Sequence, residues 1–89
     1  MERELILPPD YEDYDWDIED KGFFEHGSVR IGDRLVAVTF YDLARLQQEV
    51  SSDLDADRLF WAKRLLVVTT VNVENMRRAI ERAPDDFFE

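Results

Sequence analysis

Asp13, Asp15 and Asp17 stand two residues apart, in a run where carboxylates alternate with Tyr14, Trp16 and Ile18. Carboxylate oxygens are hard donors, and three at this spacing match the opening ligand positions of an EF-hand calcium loop. The match then stops. Ile18 occupies the place of the obligatory glycine, and Phe24 that of the closing bidentate glutamate. A calcium or magnesium site on Asp13, Asp15 and Asp17 is therefore the alternative expectation. The leading one treats Tyr11, Asp13, Tyr14, Asp15, Trp16 and Asp17 as a partner-binding strip, in which aromatic rings anchor and carboxylates steer a basic protein surface. The plainest reading of the same residues is an edge strand with Tyr14, Trp16 and Ile18 in the core and the acids in water, guarding the edge.

Other chemistry has little to build on. The chain has no cysteine, which removes disulfides, thiolate metal sites and thiol nucleophiles together and suits a reducing cytoplasm. His26 is the single histidine, and a general base needs an orienting partner and a reacting group beside it. No serine stands in a Gly-x-Ser-x-Gly setting, and no Gly-Lys-Ser/Thr follows Gly22 and Gly27. A non-catalytic protein without a cofactor is expected.

Charge points the same way. Of the net −10 over 89 residues, residues 1–25 carry −8 (ten acids against Arg3 and Lys21) and residues 26–89 carry −2. Such an excess repels nucleic-acid backbones and favours basic protein surfaces or cations. Leu65 to Val68, as long as any apolar stretch in the chain, is far too short for a membrane span. A single cytoplasmic domain over residues 1–89 is expected, with an irregular acidic lead-in over 1–13 and a compact body over 14–89.

The elements that position these residues follow from pattern. Leu5, Ile6 and Leu7 form an apolar cluster that Pro8-Pro9 closes. Tyr14 to Glu19 alternates with period two and reads as a strand, followed by turn chemistry at Asp20-Lys21-Gly22. Phe23–Ile31 and Arg34–Tyr41 read as a hairpin closed by Gly32-Asp33. That loop sets Ile31 against Arg34 and Val29 against Val36, so Val29, Ile31, Val36, Val38 and Phe40 share a core face and His26 falls opposite Thr39.

Asp42 is a fitting N-cap for a helix whose Leu43, Leu46 and Val50 face the core and which frays near Ser51–Asp53. Arg58–Lys63 is consistent with either helix or strand. Leu65–Val71 is apolar on both faces and reads as a strand buried in mid-sheet. Asn72 caps a last helix, Val71 and Met76 have the spacing of a hydrophobic staple, and Pro84 ends it. The expected fold is α+β, in the order (β)ββαβα, with a small sheet of three to four strands and both helices on one face. Phe87-Phe88 docks on the chain's own sheet or inserts into a second copy as a homodimer contact. Arg77, Arg78 and Arg82 form a small basic patch on the last helix.

Overall fold

The computed structural model describes residues 2–89. The hairpin is as expected. Strand β2 (Phe23–Ile31) pairs antiparallel with β3 (Arg34–Asp42), with Ile31 opposite Arg34 and Val29 opposite Val36. Gly32 takes φ +63 at the tip, a left-handed conformation that glycine adopts without steric cost. Val29, Ile31, Val36, Val38 and Phe40 are all buried.

Phe24 joins them, which strict alternation would forbid, because Phe24 and Val29 are five residues apart and would point to opposite faces. A register shift between Phe24 and Gly27 re-phases the strand. Gly27 makes this workable: a Cβ there would crowd the Phe40 and Phe24 rings at 3.3 and 3.4 Å. His26 sits in that irregular stretch, exposed to solvent.

Two further strands complete a four-stranded mixed sheet in the order β1-β2-β3-β4. Strand β1 (Glu4–Ile6) pairs antiparallel with β2, and β4 (Leu65–Val68) pairs parallel with β3. The lead-in over residues 1–13 is thus not irregular. Leu5 faces Val29 across the sheet and packs on the core. Strand β4 is likewise not in mid-sheet but at the edge, and it stops at Val68 rather than Val71. Leu66 and Val68 reach the core, while Val67 on the other face is 48% exposed.

The larger correction concerns Tyr14 to Glu19. Residues Tyr11–Lys21 form a helix, α1, and not a strand. Asp10 at the N-cap follows Pro8-Pro9, Glu12 and Asp13 suit the positive end of the helix dipole, and Gly22 ends the helix in the left-handed region at φ +73. Tyr11 and Ile18, seven residues apart, share the inward face. The Tyr11 ring meets Phe24 edge-on at 5.4 Å, and Ile18 packs on the same cluster.

Helix α2 (Leu43–Asp55) starts as expected, with the Asp42 carboxylate accepting from the Arg45 N–H at 2.7 Å. It does not fray at Ser51–Asp53. It continues to a C-terminal motif in which Asp57 takes φ +59, with the Asp57 N–H on the Leu54 carbonyl at 3.1 Å and the Arg58 N–H on the Asp53 carbonyl at 2.7 Å. No α2 residue is buried, so Leu43, Leu46 and Val50 are not core. The following stretch 58–63 is neither helix nor strand.

Helix α3 (Val73–Arg82) carries the expected cap, Asn72 accepting from the Asn75 N–H at 2.9 Å, and the staple residues Val71 and Met76 are both fully buried. Two helices do cover one sheet face, but they are α1 and α3. Arg45 of α2 lies 5.4 Å over Phe23, whose ring pairs with Tyr41 on the opposite face from Phe24 and Phe40. The C-terminal 3-10 turn (Asp85–Phe88) returns to the chain's own core, with Phe88 buried and Phe87 edge-on to it at 5.0 Å.

Candidate functional site

The helical period redistributes the expected partner-binding strip. Successive residues turn by about 100° around the axis, so Tyr11 points to the core while Asp13 and Trp16 point out. Tyr11 is 6% exposed and belongs to the packing; it is not available to a partner. Tyr14 is 56% and Trp16 70% exposed, so the expectation that both lie in the core fails with the strand reading that produced it. Asp13 and Asp15 fall on opposite sides of α1, and Asp17 pairs with Lys21 at 2.9 Å. The row of three ligands therefore does not converge, and among the described residues no group of three His, Asp or Glu side chains is placed to hold a metal ion.

The helix builds a different constellation, which the sequence pattern had concealed. The residues three and four positions either side of Trp16 are its neighbours on the helix surface. They are Glu12, Asp13, Glu19 and Asp20, carboxylates without exception. The indole thus stands at the centre of an acidic ring on the solvent face of α1. The signal was legible as acids at i±3 and i±4 from one aromatic residue, once the period was taken as 3.6 instead of 2.

Two grooves flank this ridge. One, of about 370 Å³, lies between α1 and the start of β2 and is lined by Tyr14, Asp17, Lys21, Phe23, Glu25 and His26 among others. The other, of about 360 Å³, runs between α1 and the first turn of α3 past Asp15, Trp16, Glu19, Asn72, Val73 and Glu74. Among the described residues, no cationic side chain lines the second, and Glu74 alone of its acids is in an ion pair, with Arg78 at 2.9 Å. The negative field reaches inward as well. Burial pushes the Tyr11 phenol above its ordinary range, and the carboxylates of Asp15 and Glu19 push it further.

His26 lines the first of these grooves. Its ring lies edge-on to Phe24 with centroids 6.0 Å apart, and no hydrogen bond to a described residue orients it. Among the described residues, no helix is long and apolar enough to cross a membrane. No family model, curated protein or solved structure matches the chain.

Proposed function

We propose that this domain is a non-catalytic interaction module of the reducing cytoplasm that offers the outer face of α1 to a basic protein surface. The observation that carries the reading is Trp16, exposed at the centre of Glu12, Asp13, Glu19 and Asp20. A large exposed indole is favoured at the centre of interfaces, and a guanidinium stacks on its face while pairing with an adjacent carboxylate. Cationic partners gain from both groups at once. Nucleic-acid backbones are repelled by the same ring.

Six acids against Lys21 over the eleven residues of α1 cost the isolated helix some repulsion, and Glu19 and Asp20 lie against the negative end of its dipole. Association with a basic surface relieves that repulsion. It also makes binding fast at low salt.

The test is the kinetics of binding to a fluorescein-labelled arginine-rich peptide as ionic strength is varied. The outward residues of α1 are exposed, so the fold tolerates their replacement. Trp16→Ala should speed dissociation, whereas the combined Glu12→Gln, Asp13→Asn, Glu19→Gln and Asp20→Asn variant should slow association and flatten its salt dependence. Parent-like rates and salt dependence in both variants would overturn the proposal.

A further inference from the structure

A second surface lies at the far edge of the sheet from β1. Among the described residues, strand β4 pairs only with β3, and no strand takes its other backbone edge. Natural edge strands are commonly blunted by charge, proline or a bulge, yet β4 reads Leu65-Leu66-Val67-Val68. The carbonyl of Arg64 accepts from the Thr39 N–H of β3 at 3.1 Å. Backbone groups alternate sides along a strand, so those of Leu66 and Val68 continue toward β3 and those of Leu65 and Val67 face the open edge.

The two faces beside this edge differ in chemistry. On the face of α3, a groove of about 260 Å³ runs along the edge past Val68, Asn75, Ala79, Arg78 and Arg82. Arg78 is paired with Glu74, and the described residues give Arg82 no ion-pair partner. On the opposite face, Val67 lies across from Tyr41, against which Phe60 packs edge-on at 6.2 Å. Either side of Phe60, Leu59 and Trp61 are 80% and 73% exposed.

We propose that the open edge of β4 takes an extended peptide of another protein as a fifth strand, with carboxylates on one face of the peptide and apolar side chains on the other. Main-chain hydrogen bonds to Leu65 and Val67 supply the pairing, and alternate side chains supply the choice of partner. Charge selects the occupant. Carboxylates on the α3 side meet Arg78 and Arg82, while apolar residues on the other side cover Val67 and the neighbouring loop. A second copy joined through the same edge would bring its own Arg78 and Arg82 against these, like charge against like.

The experiment uses two short labelled peptides, one alternating valine with glutamate and the other valine with lysine, titrated into the full chain at physiological salt. In the full chain neutralised at Glu12, Asp13, Glu19 and Asp20, where α1 no longer attracts lysine, the glutamate peptide should bind about tenfold or more tightly than the lysine peptide. Val67→Pro removes an N–H that faces the open edge, leaves the pairing with β3, and should abolish binding while the far-ultraviolet spectrum stays that of the parent. Arg78→Glu combined with Arg82→Glu, on the exposed side of α3, should reverse the preference between the two peptides and decides the matter if the proline variant does not fold. The α1 variant neutralised at Glu12, Asp13, Glu19 and Asp20 should bind the glutamate peptide no more weakly than the parent, which separates this edge from the α1 surface. Equal binding of both peptides by the α1-neutralised chain, parent-like binding of the glutamate peptide by folded Val67→Pro, or a dimer of the parent that Val67→Pro dissolves would overturn the proposal.

Discussion

The Asp42 N–H donates to the Gly22 carbonyl at 2.9 Å, and the Asp42 carboxylate fills the space where a side chain on residue 22 would begin. One residue ends α1 and the other begins α2, so the two helix ends interlock. Gly22→Ala would place a methyl group into that carboxylate and also force alanine to φ +73. It should cost about 2 kcal/mol or more, lowering the melting temperature by about 10 °C. Asp42→Ala alone should cost about 1 kcal/mol, the loss of an N-cap. In the double variant Gly22→Ala should cost less than it does alone, because its steric target is gone; a strictly additive thermal-melt cycle would refute the interlock.

Arg3 joins the two ends of the chain. Its guanidinium donates to the carbonyls of Ile80 at 2.7 Å and Ala83 at 2.5 Å, pairs with Asp85, and lies 4.6 Å from the centre of the Phe88 ring. It thereby satisfies carbonyls at the C-terminal end of α3 that have no partner within the helix. Arg3→Ala should lose about 2–3 kcal/mol in urea denaturation, and Arg3→Lys should recover only part, since an ammonium cannot span the same acceptors with a planar fork. Removing residues 2–9 should cost more than Arg3→Ala, as β1 goes with them.

Asp57 holds a left-handed conformation that a glycine would adopt without steric cost. Asp57→Gly should therefore raise stability by up to about 1 kcal/mol, measured as a shift of the urea midpoint with unchanged slope. A loss of stability would mean that the Asp57 side chain supports the loop in some other way.

Alkaline pH should destabilise the fold through Tyr11 and Tyr41. Burial raises the phenol pKa of each in the folded state; Asp15 and Glu19 raise that of Tyr11 further, and Glu49 that of Tyr41. Below the ordinary tyrosine value of about 10 both states are protonated and the full stability is present. Above it the unfolded chain releases protons that the folded chain retains, so stability falls as pH rises. Tyr11→Phe should flatten that fall above about pH 10. An identical slope in the variant would show that Tyr11 titrates normally.

How much of this was legible in the sequence differs from element to element. The β2–β3 hairpin and α3 were readable because each carries its own local signals: period-two apolar residues around Gly32-Asp33 in one, a cap, a staple and a proline stop in the other. Helix α1 was obscured because Tyr14 to Glu19 alternates as a strand would, and aspartate is a poor helix former. What decides its helical state is tertiary: Tyr11 against Phe24, with Ile18 on the same side. Its punctuation, Asp10 after two prolines and Gly22 at the end, is a weaker signal than that period. The edge placement of β4 was hidden for another reason. An apolar run says how a strand is solvated on its faces and nothing about how many neighbours it has. The Trp16 ring followed from the helix and was lost along with it.

The Arg3 contacts have a further consequence, for the order in which the chain is made. Arg3 leaves the ribosome well before its partners Ile80, Ala83 and Asp85, which lie 77 to 82 positions later. Until they emerge the guanidinium lacks the acceptors it holds in the fold, and Leu5 and Val29 lack Met76, Ile80 and Phe88, with which they share the core. The nascent hairpin must therefore wait with its apolar face in water, a state prone to pairing with other chains. The acids of residues 10–20, already present and mutually repelling, would keep such unfinished chains apart until the last helix arrives.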